Sequence, residues 1–148
     1  MRTLVLFRND LRVADNPALF HACERGEVAA VFIYEPETYG AAAKWWLHHS
    51  LSALAEALGG LETVTDGSPE KISQLAKQHG ADAVFWNRRY EPDGIARDTE
   101  LKSGLKDKGI GAESFAGNLL FEPWTVKTQT GTQFKVFSPF WRNCLANH

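Results

Sequence analysis

Glycine is missing from the place where a nucleotide-binding fold most needs it. The turn after the first apolar run reads Arg8-Asn-Asp-Leu-Arg-Val-Ala-Asp-Asn-Pro17, with four charges and no glycine. Neither G-x-G-x-x-G nor G-x-x-x-x-G-K-[ST] occurs, so this turn is not expected to cradle a phosphate with its backbone. Cysteine is scarce as well. Cys23 and Cys144 stand far apart, in no C-x-x-C or metal-ligand spacing, which excludes a disulfide framework and reads as a reduced, intracellular protein.

A surplus of positive charge is also absent. Lys and Arg number 16 against 18 Asp and Glu, a formal net charge of −2. Such a balance provides no broad basic footprint, so any contact with a nucleic-acid backbone needs another segment. Long apolar runs are lacking too: the run Thr3-Leu-Val-Leu-Phe7 is too short for a signal-peptide core or a membrane span. The expected location is cytoplasmic, with no membrane partner. No repeat or low-complexity segment interrupts the 148 residues, a length that suits one domain with a respectable core.

What the chain does have is alternation. Thr3–Phe7 reads as a buried strand, Asn16 as a helix cap with Pro17 at the first helical position, and Gly26 as that helix's end. Val28–Tyr34 is a continuous apolar run of the kind found in strands covered on both faces. A long helix over Ala41–Leu58 is followed by a strand over Leu61–Thr65. A second helix starts at Ser68-Pro69 and ends at Gly80. Then come a strand over Ala83–Asn87, a helix from about Asp93 to Lys108, and a strand around Glu113–Ala116. The pattern predicts a doubly wound, Rossmann-like, three-layer α/β fold with a five-stranded, mostly parallel sheet. Ligands of such folds sit beyond the carboxyl ends of the strands, which points to the loops after Phe7, Tyr34, Thr65 and Asn87.

Within the first of these loops Arg8, Asp10, Arg12 and Asp15 alternate in sign at spacings of two to three residues. Charge-assisted pairs are expected to staple such a turn, making these four a structural loop. On the long helix, Leu47, Leu51, Leu54 and Leu58 form one apolar stripe. At 100° per residue Trp45 falls nearly opposite it and Trp46 on its flank, so at least one tryptophan is not simply core. His48 and His49 are adjacent and lack helical ligand spacing, so no metal site is predicted. Past the last strand, Leu119–His148 holds a turn at Gln129-Thr-Gly-Thr132 and the aromatics Phe134, Phe137, Phe140 and Trp141. That tail reads either as a surface meant to meet something else or as a helix folded back on its own core.

Three separated segments carry a resemblance: Phe7-Arg-Asn-Asp-Leu-Arg-Val-Ala-Asp-Asn-Pro-Ala-Leu19, Phe85-Trp-Asn-Arg-Arg-Tyr-Glu-Pro92 and Phe134-Lys-Val-Phe-Ser-Pro-Phe-Trp141. In order and spacing they resemble the amino-terminal domain of the DNA photolyase and cryptochrome family, over essentially the whole chain. The resemblance implies a light-harvesting domain over residues 1–130 that holds an antenna chromophore. Residues 131–148 would begin the lead-out to a helical domain of the same protein. In the family that domain binds FAD and docks damaged DNA, and its excited flavin donates the electron that splits a pyrimidine dimer. The full-length protein would then be a deoxyribodipyrimidine photolyase, a light-driven DNA-repair lyase. The 148-residue chain alone is expected to be inactive, with no catalytic residue of its own.

The same resemblance lines the antenna pocket with Tyr34, Glu35, Pro36, Lys44 and Arg88-Arg89-Tyr90. Two departures matter. Arg89 stands where deazaflavin binders carry an acidic residue, and Asp93-Gly94 stands where photolyases with an interdomain folate carry Asn-Glu. The segment Lys44-Trp-Trp-Leu-His-His-Ser-Leu51 is similar to plant cryptochromes and the bacterial photolyases nearest them, which can hold a folate against an indole. The cofactor-binding candidates are therefore Tyr34, Glu35, Pro36, Lys44, Trp45, Trp46, His48 and Arg89. The antenna would be a folate such as methenyltetrahydrofolate, or a flavin or deazaflavin. Trp45 or Trp46, beside Lys44 and His48, can stack on a planar ring while the cation meets an anionic tail. Two other readings stay open: the same domain of a cryptochrome photoreceptor that signals without repair, and a free-standing α/β module. That module would bind a small nucleotide-like ligand, against which the missing glycine-rich loop argues, or serve only as an interaction surface.

Overall fold

A computed structural model describes residues 1–35 and 40–147, and nothing of the Asn147 side chain. The chain forms two compact units, Met1–Asn118 and Leu119–His148.

In the first unit five strands alternate with four helices: β1 (Arg2–Phe7), α1 (Pro17–Arg25), β2 (Glu27–Ile33), α2 (Ala41–Leu58), β3 (Glu62–Val64), α3 (Pro69–Gln78), β4 (Ala83–Asn87), α4 (Pro92–Asp107) and β5 (Gly111–Phe115). The strands lie in the order β3-β2-β1-β4-β5 and every pairing is parallel. The doubly wound sheet expected from the alternation is the one formed. Its strand order reverses between β1 and β4, so the loops that leave these neighbours diverge and open a crevice.

Period-two alternation along the strands sorts side chains into two cores. Leu4, Leu6, Val84 and Trp86 face α3 and α4 with Ile72, Leu75, Leu101 and Leu105. Val5, Phe7, Phe32 and Phe85 face α1 and α2 with Ala18, Ala22, Leu47 and Leu54. The predicted caps are in place. The Asn16 side chain accepts from the Leu19 N–H at 3.1 Å, and the Ser68 hydroxyl accepts from the Lys71 N–H at 3.3 Å, each cap followed by proline.

In the second unit α5 (Phe137–Asn147) carries Phe137 and Trp141 stacked one turn apart, with ring planes 7° from parallel. The unit carries an open apolar groove of about 550 Å³ lined by Leu119, Phe121, Phe134 and Phe140. The tail thus holds a helix whose aromatic rings touch one another but stay largely exposed, Phe137 at 70% and Trp141 at 39%. Among the described residues no helix is long and apolar enough to cross a membrane.

Candidate functional site: two crevices at the strand ends

The β1–α1 loop is tied down by a buried hub. Asn87, the last residue of β4, donates from Nδ2 to Asp10 Oδ2 at 2.6 Å and to Asn16 Oδ1 at 2.8 Å, while its Oδ1 accepts from the Ala18 N–H at 3.2 Å. Asp10 also accepts from the Arg8 N–H at 2.9 Å, and Asn16 donates to the Arg12 carbonyl at 3.1 Å. Arg12 donates from Nε to the Asp15 carbonyl at 3.0 Å, and its guanidinium also donates to the Gly117 carbonyl.

The four charges of the loop therefore do not staple it by pairing among themselves, as their spacing suggested. Asp10 spends its carboxylate on a backbone N–H and the Asn87 amide, and Asp15 turns outward with φ 52°. Arg8 finds its counter-ion on α4 instead: Nη1 lies 2.8 Å from Asp98.

Asp98 is the centre of a second network. Arg89, from the loop after β4, places Nη2 2.8 Å from the same carboxylate, and Arg89 and Arg97 each reach Glu35 at 3.4 Å. The side chains of Arg8, Asp98 and Arg89 are only 10%, 13% and 12% exposed. Burial draws the Arg8 guanidinium below its ordinary value; the Asp98 carboxylate opposes that shift and the neighbouring Arg89 adds to it. Arg8, Glu35, Arg89 and Arg97 line a crevice of about 300 Å³ between the ends of β1, β2 and β3 and the helices α3 and α4.

A larger crevice, about 520 Å³, opens between the β1–α1 loop and α2, and Arg8 lines it as well as the first. Asn9, Leu11 and Arg12 form one wall, and Ala43, Trp46 and Ser50 of α2 form the other. The helical-wheel expectation holds: Leu47 and Leu54 are 7% and 4% exposed, whereas Trp45 and Trp46 are 64% and 71% exposed.

The predicted cofactor residues do not converge on one point. Trp46 lines the α2 crevice, and Glu35 and Arg89 line the α4 crevice. Tyr34 points away from its neighbour Glu35, packing beside Phe32 on the α1–α2 core with ring centroids 6.4 Å apart. Lys44, Trp45 and His48 are exposed on α2 and line neither crevice; Trp45 meets His49 edge-on at 4.5 Å. Pro36 lies outside the described residues.

Residues 3–148 match the DNA photolyase family. The chain belongs to that family. It is 46% identical over 146 residues to the deoxyribodipyrimidine photo-lyase of Agrobacterium fabrum, covering 94% of this chain and 30% of that protein. It is 39% identical over 154 residues to cryptochrome-1 of Arabidopsis thaliana, covering 97% of this chain and 23% of the relative. Its fold superposes on a bacterial class III photolyase from Agrobacterium tumefaciens with a TM-score of 0.89 at 42% identity, over 99% of this chain and 32% of that structure. The chain thus corresponds to the amino-terminal α/β domain of photolyases and cryptochromes and spans less than a third of the length of these relatives.

Sequence reasoning missed Asp98 as a site residue. The signal was present: Gly94, Asp98, Leu101 and Leu105 fall on one stripe of α4, and three of the four are buried core positions. An ionisable residue in such a stripe marks a buried partner of opposite charge.

Proposed function

We propose that this chain is the antenna-holding domain of a photolyase-type flavoprotein, and that the α2 crevice holds the chromophore. The observation that carries this reading is the pairing of an exposed indole, Trp46, with Arg12 and Asn9 across a crevice of about 520 Å³, a volume within the range of small-ligand pockets. The residues fit a planar ring with an anionic tail. Trp46 offers a face for stacking, and Arg12 offers positive charge where its guanidinium is already anchored on the Asp15 and Gly117 carbonyls.

A chromophore bound there would absorb light and pass the excitation on; the chain's own residues bind it, orient it and keep it rigid. No proton transfer is asked of them, and the hydrogen-bonded hub at Asn87 supplies the rigidity. A folate such as methenyltetrahydrofolate, a planar pterin with an anionic glutamate tail, has the shape that these residues fit. The FAD that receives the energy, and the contact with damaged DNA, belong to a helical region of the same protein, with residues 131–148 leading toward it. Light-driven repair of pyrimidine dimers is then an activity of the full-length protein. The 39% identity to a plant cryptochrome supports a second reading, in which the same domain serves a photoreceptor without repair.

Fluorescence titration of the full-length protein with methenyltetrahydrofolate tests the site. Trp46→Ala is expected to weaken binding at least tenfold, while Leu54→Ala, which lowers stability, leaves the affinity of the folded protein unchanged. Equal losses in both variants would refute a localised stacking site.

A further inference from the structure

The α4 crevice brings together two of the residues, Glu35 and Arg89, that the family resemblance assigns to the pocket of a flavin-type antenna. Its contents do not suit one. A flavin ring needs a slot with apolar or aromatic walls. Here the described lining contains no aromatic residue, and Arg8 and Arg89, both paired with Asp98 behind them, present their guanidinium groups to it. The volume of about 300 Å³ lies at the lower limit of ligand pockets and well under that of the α2 crevice.

Arg89 is seated there by two features. Asp98 holds its Nη2 at 2.8 Å. Gly94 leaves room for its stem: a Cβ at position 94 would come within 2.8 Å of Arg89 Cβ and 2.4 Å of Glu91 Oε1. Moving Arg89 aside would strip one nearly buried guanidinium from the carboxylate that it shares with another.

We infer that Arg89, held by Asp98, is a plug that closes the strand-end crevice to a flavin or deazaflavin ring and so restricts this chain to a chromophore seated on the α2 face. The inference rests on the antenna reading above. It adds a determinant of specificity: the side chain that excludes the tricyclic ring.

The test is titration of the full-length protein, carrying its own flavin, with FMN, read as quenching of FMN fluorescence, with methenyltetrahydrofolate titrated in parallel. Arg89→Ala leaves the Arg8–Asp98 pair in place and is expected to bind FMN at least tenfold more tightly than the unmodified protein. Arg89→Lys, which keeps the space filled, is expected to behave like the unmodified protein. The double variant Glu35→Ala/Arg89→Ala, unchanged in net charge, repeats the measurement should the single variant fold poorly. Unmodified protein that binds FMN as tightly as these variants would overturn the plug, as would folded variants that gain nothing. A silent folate titration would defeat the antenna reading instead, leaving the FMN comparison interpretable.

Discussion

The Asn87 amide donates to the Asn16 side chain at 2.8 Å, so the residue that ends β4 is bonded to the residue that caps α1. β1 and β4 are the adjacent strands from which the chain winds in opposite directions. This contact holds their two loops together at the mouth of the fold. Replacing Asn87 by Ala leaves the Ala18 N–H without its acceptor and takes one donor from the Asp10 carboxylate. Both groups are buried, so a loss of about 2–3 kcal/mol is expected in urea unfolding.

Asp98 pairs with two nearly buried guanidinium groups at 2.8 Å each. Removing one member of a buried ion pair leaves an uncompensated charge, which is worse than never having had the pair. Asp98→Ala is therefore expected to cost about 3–5 kcal/mol by chemical denaturation. Arg97→Ala, at the exposed end of the same network, is expected to cost less than about 1 kcal/mol.

Tryptophan and leucine on α2 have opposite roles. Leu54→Ala empties a buried site on the α1–α2 core and is expected to lower stability by about 2–5 kcal/mol. Trp45→Ala removes an exposed ring, and its unfolding midpoint should stay within about 0.5 kcal/mol of the unmodified protein.

Gly104 sits where α4 crosses the start of α3. Alanine would ordinarily favour a helix interior by about 1 kcal/mol. At this position its Cβ would lie 2.6 Å from Pro69 Cβ, part of a ring that cannot rotate away. The overlap outweighs the propensity, and Gly104→Ala is expected to destabilise by about 1–3 kcal/mol in thermal unfolding.

At the entrance to α3, the Ser68 N–H donates to Asp66 at 2.8 Å and holds its carboxyl below the usual carboxylate range. A carboxyl whose folded value is depressed contributes stability above its unfolded pKa and loses it as pH falls through the folded value. The unmodified protein should therefore lose more stability than Asp66→Ala on acidification below about pH 4. Equal acid limbs for the two proteins would show that the hydrogen bond does not couple to folding. The group is exposed, so the difference is small.

Much of the fold was legible along the chain because its causes are local. Asn16-Pro17 and Ser68-Pro69 cap helices through atoms a few residues away, and the apolar runs at Leu4–Phe7 and Ala83–Trp86 call for burial on both faces. The exposure of Trp45 followed from 100° per residue alone, whereas Trp46, on the flank of the stripe, was left open by it. The partners of the charged loop did not follow, because Arg8 and Asp98 stand 90 residues apart and nothing local pairs them. Near-neighbour spacing made Asp10 and Asp15 the apparent counter-ions.

Sequence by itself determined the order of strands and helices, the helix starts, the apolar stripes and the motifs shared with the photolyase family, since each depends on covalent neighbours or on periodicity. Tertiary structure decided which strand ends became neighbours. It set Asn87 into the β1 loop, paired Arg8 with Asp98 on α4, lined one crevice with ion-paired arginines and opened the other beside Trp46. Those outcomes depend on the parallel pairing of β1 with β4, and long-range pairing brings together charges and amides that no local rule can match in advance.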